Sequence, residues 1–328
     1  MANTSQNTDS PKKDEEEELP SSEFGKFSIY GEFWTRMQAR AVRHCPFFLE
    51  PILLAYYTLF FFVLCPSARK PVIDNLQFLF PDSPRWMNTL RALRVFWSFS
   101  NSITDAAYSR EGLNTIDWEV QGDEHFQKFN QQNRGAIVLT AHMGNYDVAA
   151  PMFAGKVGKK LLAVRAPERD AQRQKYMQEK FRKEASADYE VRYNADDKFL
   201  GIDLARALLQ GEYVAIQGDR VLFDVSPMQV AIKDHSGWHM NIPKGPFTLA
   251  LSTRCEILPL FAVRLSRRRY RIIILPPFKC ERIGRDHQAA TDLAASQWLE
   301  LLLPMIRRYW FQWYVFENAF FPDQNQKP

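Results

Sequence analysis

The sequence predicts an α/β protein, a sheet of strands separated and flanked by helices. After about Asn133, short apolar runs alternate with longer stretches of helical periodicity. Ala136–Leu139 and Leu161–Val164 are unbroken apolar runs, as expected for strands buried on both faces. Further strands are expected over Tyr213–Gln217, Ile257–Val263 and Arg271–Leu275. Helices are expected over Asp170–Glu184, Lys198–Gln210 and Ala289–Tyr309, the last with Pro304 as a kink point. The run Arg267-Arg268-Arg269 falls between the last two strands and reads as a hairpin tip. Such a charge run is most simply solvated, and it also suits contact with anionic lipid.

Three segments of different character precede or make up this pattern. Residues 1–22 are polar, with an acidic run from Asp14 to Glu18, and read as a disordered tail without signal-peptide shape. Residues 23–112 read as a helical region. It contains an apolar segment at about 47–65, FFLEPILLAYYTLFFFVLC. The run from Pro51 to Cys65 is about 15 residues, short of the roughly 20 needed to cross a bilayer as a helix. A buried core helix and an interfacial or re-entrant anchor both fit, and the charged flanks keep a single full span open as the less favoured reading. Tyr56, Tyr57 and Phe60–Phe62 suit a lipid interface, with Arg69 and Lys70 at the flank. Leu76, Leu79 and Phe80, then Trp86, Leu90, Leu93 and Trp97, mark two helices joined at Pro81–Pro84. Residues 113–328 form the α/β core.

Composition narrows the class. With 46% hydrophobic residues and a mean hydropathy of −0.35, the chain fits a large globular protein and not a multi-spanning one. A net charge of +4 permits contact with anionic lipid or an acidic carrier protein but falls short of a nucleic-acid footprint. Cys45, Cys65, Cys255 and Cys280 are scattered without a ligand cluster, so free thiols and no metal site are expected. His235 and His239 have metal-ligand spacing, but Gly237 between them and the lack of H-E-x-x-H favour two ordinary loop histidines.

The segment GAIVLTAHMGNYDVAAPMFAG carries the chemistry. A strand runs into His142, a Gly-Asn pair, then Asp147 and a helix. On a continuous helix residues five apart would point about 140° away from one another, so pairing them needs a turn, which Gly144 permits. Asp147 can then hold one imidazole nitrogen while the other faces the cleft at the strand's carboxyl end. A neutral imidazole so fixed is suited to general-base work on an acceptor hydroxyl that attacks a thioester. Asp147 acting only as a helix N-cap is the plainer alternative.

His142-Met143-Gly144-Asn145-Tyr146-Asp147 resembles the H-x-G-N-W-[DE] signature of the bacterial lysophospholipid/lipid A biosynthesis acyltransferase family, with Tyr where the signature has Trp. Further blocks recur in order: Ala163-Val164-Arg165-Ala166-Pro167, Gln217-Gly218-Asp219-Arg220, and Ile242-Pro243-Lys244-Gly245-Pro246 leading to Ile257-Leu258-Pro259. The closing stretch RRYWFQWYVFENAF is similar to the family's P-x-Q-W-aromatic end, without the Pro. The resemblance covers most of the chain after about Ser67. It implies a glycerol-phosphate-acyltransferase-like mixed sheet and attachment to the cytoplasmic face of the bacterial inner membrane. It implies no cofactor: acyl carrier protein or coenzyme A thioesters serve as donor substrates, and a membrane lipid or glycolipid as acceptor. It also implies His142 as base and Asp147 as its partner.

Asn145, Arg165, Gly218, Asp219, Arg220 and Gly245 are candidate substrate-binding residues. Arg165 and Arg220 suit phosphate, or alternatively structural ion pairs. Asp219 would orient Arg220 or cap a turn, and Gly218 and Gly245 would shape loops. A serine lipase is disfavoured because G-x-S-x-G is missing. A thioesterase using the same dyad, and a non-catalytic membrane-binding protein, are the competing readings.

Overall fold

The computed structural model describes residues 32–46, 48–113, 115–132, 134–168, 171–184, 188–194, 199–221 and 226–323. The expected polar tail and Phe47 lie outside these residues. Among the described residues four helices come first: α1 (Glu32–His44), α2 (Glu50–Leu64), α3 (Pro66–Leu79) and α4 (Arg85–Arg110). The core follows as β1 (Asp117–Gln121), α5 (Asp123–Asn130), β2 (Ala136–Thr140), α6 (Tyr146–Val157), β3 (Leu161–Arg165), α7 (Ala171–Glu184) and β4 (Tyr189–Tyr193). It continues through α8 (Leu200–Leu209), β5 (Tyr213–Gln217), β6 (Pro227–Ala231), β7 (Trp238–Pro243), α9 (Gly245–Thr253), β8 (Glu256–Ser266) and β9 (Arg269–Ile274). The short β10 (Phe278–Lys279), α10 (His287–Arg308), a 3-10 turn (Trp310–Gln312) and β11 (Phe320–Pro322) complete it.

The main sheet has the order β1-β9-β8-β2-β5-β3-β4, with β10 on β8. All neighbours in that order run parallel except β8 and β9, which form the antiparallel hairpin. A mixed, mostly parallel sheet flanked by helices is thus the architecture, as the strand–helix alternation predicted. Strand alternation builds both faces. Ile137 and Leu139 point to one side, into a cluster with Leu208, Phe247 and Trp298; Ala136 and Val138 point to the other, against Phe126, Phe153 and Leu161. Both sides being covered explains the unbroken apolar runs of the central strands. A smaller sheet, β11-β7-β6, packs on α10 through β6.

The second, third and fourth helices make a separate apolar cluster with Phe62, Leu76, Val95 and Phe96, joined by Tyr314 from the chain's end. α3 and α4 are the two expected helices, with the turn falling at Phe80–Pro84. α2 combines both readings of the apolar segment. Thr58 and Phe62 face inward, bonded to Ser100 Oγ and edge-on to Phe96, whereas Ile52, Tyr56, Leu59 and Val63, at spacings of four, three and four, are 55–64% exposed. The outward face is therefore this row and not Phe60–Phe62. Arg69 also turns back, donating to Phe62 O and covering its ring, and so does not join Lys70 as a free flank.

The arginine tip of the β8–β9 hairpin is not simply solvated. Arg267 and Arg268 pair with Glu50 at the start of α2, and Arg268 lies 4.0 Å over the Tyr108 ring of α4. Below the tip, Asp105 of α4 is 2% exposed and accepts from Arg264 Nε (2.8 Å), the Tyr270 hydroxyl (2.8 Å) and the Arg268 amide (3.3 Å). A buried carboxylate needs such donors, and removing it strands the Arg264 charge. Asp105→Ala should lower the unfolding free energy by about 3 kcal/mol in urea titration. A loss below about 1 kcal/mol would show that α4 is held to the hairpin by packing alone.

Candidate active site

β2 and β5 are adjacent and parallel, with Thr140 opposite Gln217. His142 and Asp219 each lie two residues beyond those strand ends, so the two loops leave the sheet side by side. The imidazole and carboxylate meet there. Asp219 Oδ1 accepts from His142 Nδ1 at 2.7 Å, and Oδ2 accepts from the His142 amide at 2.8 Å and from Trp313 Nε1 at 2.9 Å. An ionised carboxylate only accepts, so the imidazole proton sits on Nδ1 and Nε2 is left with its lone pair. His142 is 6% exposed and Asp219 fully buried.

Burial lowers the His142 pKa, the nearby Arg220 charge lowers it further, and Asp219 and Glu317 only partly oppose this. The ring is accordingly neutral at neutral pH. Burial works to raise the Asp219 carboxyl, but His142 and the N–H donors hold it below the usual carboxylate range.

Asp147 has other partners than the expected one. Its carboxylate pairs with Arg165 Nη1, at the end of β3, and with Arg110 Nη2 of α4 at 3.5 Å. Burial would raise its pKa, yet Arg165 and Arg110 bring it down to about 2. Both guanidinium groups lie over the Phe181 ring of α7, at 4.5 Å for Arg165 and 5.8 Å for Arg110. The expected His142–Asp147 contact is therefore corrected: the imidazole is held by Asp219, and Asp147 belongs to an arginine pair. Gly144 does supply the expected turn, with φ +55°, but the turn carries Asp147 away from the ring towards β3.

The remaining candidates separate. Asn145 is buried and its amide donates to Ser102 O at 3.2 Å, tying the start of α6 to α4. Arg220 pairs with Glu317 at 3.1 Å, at the rim of the imidazole site, and not with Asp219. Gly218 lies against Leu139 and Trp298, where a Cβ would come within 2.8–2.9 Å, and its carbonyl accepts from Trp298 Nε1. Gly245 opens α9 in an exposed position. His235 lies beside Arg307 and His239 bonds Asp323, so the two do not converge on a common point as ligands. Among the described residues no group of three or more His, Cys, Asp or Glu side chains gathers as a metal site.

Four site residues were not anticipated. Tyr146 stands edge-on to the imidazole at 5.2 Å, Arg110 and Glu317 complete the two ion pairs, and Trp313 holds Asp219. Tyr146 falls within the His142–Asp147 signature segment and Trp313 and Glu317 within the aromatic closing stretch, whereas Arg110 carries no sequence signal.

Fold and site together define an α/β protein with a carboxylate-held, neutral imidazole at the carboxyl edge of parallel strands. The chain belongs to the bacterial lipid A biosynthesis acyltransferase family, whose model matches residues 23–312. It is thus a transferase of a family that moves acyl groups to lipid. No curated protein matches the chain.

Gly144 is the position where the turn tolerates least. A Cβ there would lie 2.3 Å from Ala262 O of β8, in addition to the strain of positive φ. Gly144→Ala should destabilise by about 2 kcal/mol or more and displace His142. A variant with native thermal stability and activity would show that the loop relaxes freely.

Proposed function

We propose that the protein transfers a fatty acyl group from an acyl thioester to a hydroxyl, or an amine, of a lipid or glycolipid at a membrane surface. The observation that carries this reading is the His142–Asp219 pair with Nε2 left as an acceptor. His142 Nε2 takes the proton from the acceptor hydroxyl as its oxygen attacks the thioester carbonyl. Asp219 stabilises the imidazolium that forms. The tetrahedral intermediate collapses to the ester, and the expelled thiolate recovers the proton, leaving a free thiol on acyl carrier protein or coenzyme A. No enzyme nucleophile and no cofactor are needed, because a thiolate leaves readily.

In this reading Asp147 acts through the arginines it fixes, Arg165 and Arg110, and not through the ring. Arg220, at the rim beside His142, is the cation suited to an anionic group on donor or acceptor. Among the described residues no helix is long and apolar enough to cross a membrane, while α2 and α3 form an apolar pair bent by 89°. The exposed row Ile52, Tyr56, Leu59 and Val63 supports an interfacial docking face, and the cytoplasmic side of the inner membrane is our proposal for where it docks.

The variants separate the roles. His142→Ala should lower kcat by about 10²–10⁴-fold, as loss of a general base does. The base must be neutral, and its pKa is lowered in the folded protein. The acid limb of kcat/KM should therefore lie below pH 6.5, with activity full above it and lost as pH falls through it. Asp219→Asn removes a charge that raises the His142 pKa, so it should move this limb to still lower pH while reducing kcat. Asp147→Asn should reduce turnover without moving the limb. A limb above pH 6.5, or one moved by Asp147→Asn and not by Asp219→Asn, contradicts the assignment. Release of free fatty acid at the transfer rate would instead mark a thioesterase.

The docking face has its own test. Replacing Ile52, Tyr56, Leu59 and Val63 with Ser should leave the circular dichroism spectrum native, since all four are exposed, and release the protein from vesicles containing anionic lipid. Activity on a short-chain acceptor in micelles should persist. Unchanged vesicle binding would place the membrane contact elsewhere.

A further inference from the structure

The segment after α10 reaches the site through three hydrogen bonds. The Gly144 amide donates to Gln312 O at 3.0 Å, and the Tyr314 amide donates to His142 O at 2.7 Å. Met143 and Trp313 form an isolated antiparallel bridge, and Trp313 Nε1 donates to Asp219 Oδ2. The segment is itself pinned. Gln312 Oε1 accepts from the Arg264 amide at 2.6 Å and its Nε2 donates to Arg264 O at 2.8 Å. The Tyr314 hydroxyl lies 2.9 Å from Ser102 Oγ and 3.0 Å from Ser98 Oγ on α4.

We propose that Trp313 is a positioning residue for acyl transfer: its indole N–H fixes the Asp219 carboxylate plane, and through it the direction in which His142 presents Nε2. This rests on His142 being the base. Asp219 has three N–H donors, and two of them belong to His142, the group it must orient. Trp313 is the donor that comes from elsewhere, on an element anchored to β8 and α4. It is 4% exposed, so water does not readily replace it. Without this donor Oδ2 keeps only the His142 backbone amide, and the carboxylate plane is less tightly fixed against the ring it is meant to hold.

The charged and titratable groups that face His142 are Asp219, Arg220, Glu317 and Tyr146. Removing the indole donor leaves more negative charge on Asp219, which favours the imidazolium. Trp313→Phe keeps one aromatic ring but removes the N–H together with the second ring, a loss of volume that the Trp298→Phe control shares. It should lower kcat by about tenfold at unchanged KM, the size expected for a lost hydrogen bond to a charged group. It should also move the acid limb of kcat/KM to higher pH.

Trp298→Phe is the control, because it removes a buried indole donor from the Gly218 carbonyl instead of a carboxylate. It should leave the limb in place. A Trp313→Phe limb at the wild-type pH, a raised KM with unchanged kcat, or an equal shift in Trp298→Phe overturns the proposal. Should Trp313→Phe fail to fold, indole proton spectra decide on folded protein. In Asp219→Asn one downfield indole resonance should move upfield while the others stay, and no such movement overturns the proposal. Retained activity in His142→Ala would instead sink the base assignment, leaving the indole resonance unaffected.

Discussion

Parallel pairing of β2 with β5, in the register that sets Thr140 opposite Gln217, is the constraint on which the site depends. Two parallel strands that end level send their loops out together, so His142 and Asp219 meet although they are far apart in sequence. The carboxyl edge of a parallel sheet is where α/β proteins place ligands, and this register puts an imidazole there. A carboxylate buried at this point is unfavourable unless donors surround it. Two come from His142, and the third, from Trp313, requires the chain's end to fold back across the loop. That requirement ties distant elements into one unit, because the returning segment is held in turn by Arg264 of β8 and by Ser98 and Ser102 of α4.

The helical region is thus part of the site's support and not an appendage. α4 contributes Ser102 to Asn145, Arg110 to Asp147 and Asp105 to the β8–β9 hairpin. The same helix packs on α2, whose outer face is apolar and exposed. The two buried-site aspartates have opposite environments: Asp219 sits among neutral N–H donors and the ring, Asp147 between two arginines. Different surroundings give like groups different tasks.

The central strands and the long helices were legible because apolar periodicity reports burial directly. Ala136–Leu139, Leu161–Val164 and Tyr213–Gln217 all recur as β2, β3 and β5, and the α7, α8 and α10 helices fall within a few residues of their expected bounds. Strands with mixed composition escaped. β1 (DWEVQ) and β6 (PMQVA) carry polar residues because they are less covered, and β4 (YEVRY) lies at the sheet edge. Gly144 correctly signalled a turn, but sequence spacing between His142 and Asp147 said nothing of strand order. The partner of His142 is set by which strand lies beside β2, and one sequence does not display that. The Gln217-Gly218-Asp219-Arg220 block was recognised as important, while its aspartate's target was not.

The central claim is that Asp219 fixes His142 as the neutral tautomer with its proton on Nδ1 and a lone pair on Nε2. Nitrogen-15 spectra of the labelled imidazole near pH 7 test it most directly. The account predicts a protonated Nδ1, a bare Nε2, and loss of that tautomer preference in Asp219→Asn but not in Asp147→Asn. A ring protonated on Nε2, or an imidazolium at that pH, would contradict it.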